Sequence, residues 1–189
     1  MANDVSCMIQ FYTDKDAERF KKEFCNKDED LDFNKVVPIP DVIKLLTDKS
    51  VGTYDETIKA ILKYPKNAPI PNELMGFVDL IEIQDKLKEL LDKDECGGCT
   101  DWYEWNCQHW GTKWNAYEGY WDDEDTYRFS TAWSAPIPIL EALAEKGIGF
   151  SFYAEEGGMG WKVEGETDND GYFSYEESDL EYDDDEEDE

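Results

Sequence analysis

The chain has 189 residues, of which 40% are hydrophobic and 14% aromatic, enough for one sizeable core. Acidic residues outnumber basic ones 47 to 18, a formal charge of −29. A surface of that sign repels nucleic-acid backbones and anionic membranes and favours cationic partners or divalent metals, and no apolar run is long enough to span a bilayer.

The opening "VSCMIQFYT" is rich in β-branched and aromatic residues and predicts a buried strand. Thr13 then precedes "DKDAERFKKEF" with Asp16 three positions on, the pattern of a capping box, and Ala17, Phe20 and Phe24 form one apolar stripe. In "LDFNKVVPIPD", Pro38 and Pro40 predict an extended segment. Residues 41–92 predict three helical pieces, the last a long one over "NELMGFVDLIEIQDKLKELLDK" with Leu80, Ile83, Leu87 and Leu90 on one side. "CGGC" interrupts it, and a brief helix over "TDWYEWNCQHW" is expected to start with Thr100 as its N-cap.

From residue 112 the periodicity changes. "TKWNAYEGYW" and "TYRFSTAWS", joined by "DDED", predict a hairpin. "IPILEALAEK" predicts a helix closed by Gly147. "IGFSFYAEE" and "GWKVEGET" predict two strands joined around "GGMG", and a type I′ turn at "DNDG" leads into "YFSYEE". The expected fold is α+β: an antiparallel sheet with helices on one face and a helical insertion over about residues 41–110. A single domain is expected over residues 1–175. Residues 176–189 hold 11 acidic and no basic residues, so a disordered tail is expected there. Without it, 36 acidic residues still face 18 basic ones, so the body is acidic by itself. All seven tryptophans lie between 102 and 161 and are expected to form the packed interior of the C-terminal half.

"WGTKWNAY" (110–117), "FSTAWSAP" (129–136) and "EEGGMGW" (155–161), in that order, resemble the YubB-type proteins of phages and plasmids, as does the earlier "LDFNKVVPIP". The resemblance implies a ferredoxin-like domain in the C-terminal part and a mobile-element setting. It supplies no catalytic mechanism, and the fold name implies no iron–sulfur cluster. His109 stands where similar proteins tend to have asparagine, and the acidic tail departs from the usual pattern.

Four candidate sites compete with plainer readings. Cys96, Cys99, Cys107 and His109 have the donor types of a tetrahedral zinc site. However, two residues on a helix separate Cys107 and His109 by about 200°, and Cys107 between Trp105 and Trp110 reads equally as a core thiol. Glu166, Asp168, Asp170 and Glu177 fall at the offsets of a calcium loop, with glutamate at a first position that requires aspartate and a strand where a helix should enter. In "WGTKWN", Trp110, Lys113, Trp114 and Asn115 are candidate ligand contacts, Lys113 stacking on indole faces; the alternative is a tryptophan-packed corner with Gly111 at positive φ. "GGMG" reads as a turn, since Glu155, Glu156, Glu164 and Glu166 oppose an anion.

No catalytic constellation is identified, so no enzyme is expected. The leading expectation is a non-enzymatic acidic interaction protein of a phage or mobile element that binds a basic surface of a host or phage protein. Its narrower form is a nucleic-acid mimic that inhibits a DNA- or RNA-binding enzyme, and its competitor is a divalent-metal module with calcium or zinc as the ion. Solubility alone is the plain reading of the charge. No cofactor, no direct nucleic-acid partner and no membrane partner are expected. Five cysteines at irregular spacing and an N-terminus without a secretory signal predict reduced thiols and a cytoplasmic location.

Overall fold

The computed structural model describes residues 3–47, 49, 55–65, 67–93, 97–99 and 101–180. Chain order is β1 (Asp4–Phe11), α1 (Asp14–Phe24), α2 (Phe33–Val36), α3 (Asp41–Thr47) and α4 (Glu56–Lys63), then a 3-10 helix (Asn72–Phe77), α5 (Val78–Glu82), α6 (Gln84–Asp92) and α7 (Trp102–His109). The strands β2 (Tyr117–Trp121) and β3 (Thr126–Ala132) follow, then α8 (Ile137–Glu145), β4 (Phe150–Glu156), β5 (Trp161–Thr167) and β6 (Phe173–Asp179). The chain divides into two compact units, residues 1–38 with 108–189, and residues 39–107.

The first unit is built on a six-stranded antiparallel sheet ordered β2-β3-β1-β4-β5-β6. Its β1-α1-β2-β3-α8-β4 core, with β1 between β3 and β4, is the ferredoxin-like arrangement, and the β5–β6 hairpin widens it by two strands. The α+β fold expected from the pattern is therefore the one observed.

Alternation decides which face is covered. Val5, Cys7, Ile9 and Phe11 of β1 are buried, as are Tyr127 and Phe129 of β3 and Phe150, Phe152 and Ala154 of β4. They meet Phe20 and Phe24 of α1 and Ile139, Leu140 and Leu143 of α8, which are buried too. Phe11, Phe20, Trp121 and Tyr127 form one ring cluster, with Phe20 5.2 Å from Tyr127 and Trp121 5.2 Å from Tyr127 between centroids. The Tyr127 hydroxyl accepts from Leu31 N at 2.9 Å and donates to Glu29 O at 3.0 Å, pinning the loop after α1 onto the sheet. Gly119 passes directly over that hydroxyl, where a Cβ would lie 2.0 Å from the oxygen, so β2 carries glycine there beside its bulge. The other face, with Ser6, Gln10, Glu164, Glu166 and Glu176, is exposed.

Local signals hold where they are self-contained. Thr13 caps α1, its Oγ1 accepting from Asp16 N at 3.2 Å and donating to the Asp16 carboxylate at 2.6 Å. Gly111 and Gly147 take positive φ, 77° and 76°. Several expectations need correction. Asp32 caps a one-turn helix, α2, where an extended segment was expected, because its carboxylate captures Asn34 N. The long helix over 72–92 is three pieces, beginning as a 3-10 turn and breaking again at Ile83. The turn at 168–172 is not type I′, which needs two successive positive φ angles: Gly171 has φ 83° and Asp170 is not in that region. Residues 176–179 are not disordered but close β6, whose Phe173 stacks on Phe150 at 5.6 Å. Residues 181–189 of the expected tail, and Thr100 as N-cap, lie outside the described residues.

The second unit consists of short helices. Val42, Ile43 and Leu46 of α3, Ile58 and Ile61 of α4, Leu80 and Ile81 of α5 and Leu87 of α6 are among its buried apolar residues. Gln84, itself buried, donates from Nε2 to Ile61 O at 2.5 Å and Tyr64 O at 2.9 Å, closing the end of α4. Lys49 reaches Asp79 at 2.6 Å, and that hydrogen bond holds the Asp79 carboxyl below its ordinary range. Among the described residues, no helix is long and apolar enough to cross a membrane.

Candidate functional site

A cavity of about 680 Å³ lies between α1 and the β2–β3 turn. Helical spacing places Asp14, Ala17, Glu18 and Lys21 on one side of α1, and the turn supplies Asp122, Asp123 and Glu124. Trp121, on the helix-bearing face of the sheet opposite Tyr127, also lines the space, and small Ala17 leaves it open. Five carboxylates thus surround one indole and one ammonium. Lys21 Nζ lies 5.6 Å from the Trp121 ring centre but is paired at 2.8 Å with Glu29, and Asp122 is held at 2.7 Å by Arg128. Among the described residues, no lysine or arginine is paired with Asp14, Glu18, Asp123 or Glu124. The Trp121 Nε1–H is buried without a hydrogen-bond acceptor.

The "WGTKWN" residues divide between scaffold and surface. Trp110 is only 2% exposed, donates from Nε1 to Val37 O at 2.9 Å and meets Phe33 edge-on. The Asn115 side chain accepts from Phe33 N at 2.7 Å and donates to Asp32 at 3.0 Å, so it ties α2 to the chain before β2. Both are consumed by structure. Trp114 is 42% exposed, and the Lys113 ammonium lies 4.7 Å from its centroid and 5.3 Å from that of Trp133. Trp133 was not singled out by the sequence. Its only signal there is a tryptophan just past a strand end, which gives no hint of its positive φ of 73° or its 49% exposure. The tryptophans are therefore not one packed interior: Trp105 and Trp110 are buried, while Trp114 and Trp133 face solvent.

The metal candidates do not converge. Among the described residues, no group of three or more His, Cys, Asp or Glu side chains is arranged to hold a metal ion. Cys96 lies outside the described residues. Cys99 is buried, Cys107 is exposed rather than a core thiol, and His109 follows Cys107 by two residues in α7. Burial, with the Glu104 and Asp101 carboxylates, raises the Cys99 pKa. Burial pushes the thiols of Cys7 and Cys25 up to about 12. These are unreactive interior groups.

The would-be calcium loop is a hairpin turn. The Asp168 carboxylate accepts from Asp170 N and Tyr172 N, both at 2.9 Å. Glu166 pairs with Ser174 and Glu177 with Val163, which sends the two glutamates to opposite faces of the sheet. Likewise Glu156, beside "GGMG", is buried and accepts from Gly158 N and Met159 N, building the β4–β5 turn.

Comparison with known families bears on one part of the chain. Residues 109–189 match the family model of the ferredoxin-like domain in Api92-like protein. The matched stretch contains β2 through β6 and α8 and supports the ferredoxin-like domain that the tryptophan motifs implied. It leaves out β1 and α1, which the structure places in the same unit. No curated protein and no solved structure matches the chain.

Proposed function

We propose that this chain is a non-enzymatic acidic interaction protein that engages a basic surface of another protein through the cleft between α1 and the β2–β3 turn. One observation carries the reading: Asp14, Glu18, Asp123 and Glu124 converge around Trp121 without cationic partners among the described residues. Such a cleft attracts lysine and arginine side chains over a distance of about one Debye length, roughly 8–10 Å, and an indole floor adds contact area. A net charge of −29 steers the encounter and repels nucleic acid, so the partner is a protein. The resemblance of the tryptophan motifs to YubB-type proteins supports a phage or plasmid setting.

The test is binding of a lysine- and arginine-rich peptide to the full chain at low and high salt. Neutralising Asp14→Asn, Glu18→Gln, Asp123→Asn and Glu124→Gln together is expected to weaken binding roughly tenfold or more and to flatten its salt dependence. The control removes the same charge from the open sheet face with Glu155→Gln, Glu164→Gln, Glu166→Gln and Glu176→Gln, and is expected to weaken binding far less. Equal losses in both variants would reduce the effect to net charge and overturn the cleft. For a captured partner, displacement by duplex DNA would narrow the reading to nucleic-acid mimicry.

A further inference from the structure

A second, smaller cavity of about 260 Å³ lies on the helix-bearing face of the sheet, where β5 and β6 run past the start of α8. Trp133, Trp161 and Tyr175 contribute three aromatic walls, Val163 is buried beneath, and Glu177 supplies a carboxylate. The register accounts for the grouping. Val163 pairs with Glu177 and Gly165 with Tyr175, so these residues share one face, as does Trp161 two residues before Val163.

Trp133 is the informative residue. It adopts φ 73°, a region costly for a bulky side chain, yet it remains 49% exposed, so core packing does not explain the strain. Its corner is fixed by hydrogen bonds. Trp133 N donates to Asn3 O at 2.9 Å, Thr131 Oγ1 to Ser134 O at 2.8 Å, and Ser134 Oγ to Gly111 O at 2.5 Å. The fold holds an indole outward, against its backbone preference, at the edge of an aromatic-lined space.

The chemistry of the walls selects a cation. Aromatic faces attract ammonium and guanidinium groups, and Trp133 already has the Lys113 ammonium 5.3 Å from its centroid. Among the described residues, Glu177 has no basic partner. The start of α8 does not offset this with donors for an anion. Pro136 and Pro138 have no N–H, and Ile137 N is spent on Ala135 O at 2.9 Å. The volume falls below that of pockets for drug-sized ligands, about 300 Å³ and upward, and suits the end of one side chain.

We propose that this cavity receives the cationic end of a single lysine or arginine side chain of a protein partner, held by Trp133, Trp161 and Tyr175 and neutralised by Glu177. This rests on the reading of the chain as a receptor for basic protein surfaces and adds an anchoring pocket to it.

The probe is the capped tripeptide Gly-Arg-Gly, with its citrulline analogue as the neutral isostere, titrated into full-length protein while indole N–H resonances are followed by NMR. The arginine peptide is expected to move the Trp133 and Trp161 resonances and the citrulline peptide to leave them in place. Glu177→Gln, an exposed change, is expected to weaken arginine binding roughly fivefold, and Trp161→Leu roughly tenfold. The remaining indole resonances report whether each variant is folded. Equal response to citrulline, or binding unchanged in both variants, overturns the proposal. If the cleft variant loses polycation binding while the arginine peptide leaves Trp133 and Trp161 unmoved, this inference falls and the cleft reading stands. The opposite result removes the cleft and leaves the pocket.

Discussion

The two compact units are ordered by different means. In the sheet unit, β1 pairs with β3 and β4 across more than a hundred residues of sequence. Four side chains of that one strand are buried at 3% exposure or less. In the helical unit the helices are short, α5 only five residues, and are fixed over shorter spans of sequence: the Asp55 cap on α4 and the Gln84 amide, which reaches Ile61 at its end from 23 residues on. Long-range pairing yields a rigid frame whose margins can hold unpaired carboxylates and strained, exposed tryptophans. Local order yields elements that satisfy mainly themselves. Both candidate sites lie in the sheet unit.

The sharpest way to break this contrast is to remove β1. Burying its Val5, Ile9 and Phe11 side chains is worth about 1.5–3 kcal/mol each, a sum comparable with the whole stability of a domain. Residues 109–189, the stretch matched by the family model, are therefore expected to show no cooperative thermal transition by circular dichroism when produced alone. Replacing residues 39–107 with a flexible linker is expected to preserve the transition, because the Trp110–Val37 hydrogen bond brings the flanking ends together. A folded 109–189 fragment would refute the central role of β1.

Single hydrogen bonds sharpen the comparison next. Tyr127→Phe leaves the Leu31 N–H without its acceptor and is expected to cost the sheet unit about 1–3 kcal/mol. Gln84→Ala is expected to cost the helical unit about 1–2 kcal/mol. Segment-resolved hydrogen exchange distinguishes them, and a Gln84 effect spread equally over β1 and β4 would show that the units do not melt separately.

The smallest effect is alkaline. The thiols of Cys7 and Cys25 ordinarily titrate near 9.0 and are pushed up to about 12 by burial. Burial also raises Tyr117 and Tyr127. A raised folded pKa stabilises fully below the unfolded value and is lost as pH rises through the folded one. Sheet stability is thus expected to decline from about pH 9 toward pH 12, and Cys7→Ala to flatten that slope, as read by urea denaturation across the range.

Much of the frame was legible because it rests on period and on residues with one local use. The alternation in "VSCMIQF", the Thr13–Asp16 cap, Gly111 and Gly147 all express short-range rules. What was not legible depends on partners distant in sequence. Nothing near Trp133 announces positive φ, since that corner is imposed by Asn3 and Gly111. The tail appeared to begin at 176 because acidic composition hides the pairing of Glu176–Asp179 with β5. The acidic cleft joins α1 to a turn a hundred residues later, and no motif links them. The calcium-loop spacing misled for the converse reason: offsets along the chain placed Glu166 and Glu177 together, and the strand pleat sends them to opposite faces of the sheet.

The central place of β1 has a consequence for synthesis. At roughly 5–20 residues per second, the ribosome delivers β3 on the order of 10 s after β1, and β4 later still. Throughout that interval a greasy ribbon waits without neighbours while the helical segment emerges behind it. The nascent protein is most exposed to chaperones and to self-association in this window, which closes only when β3 and β4, the two strands that pair with β1, have both cleared the tunnel.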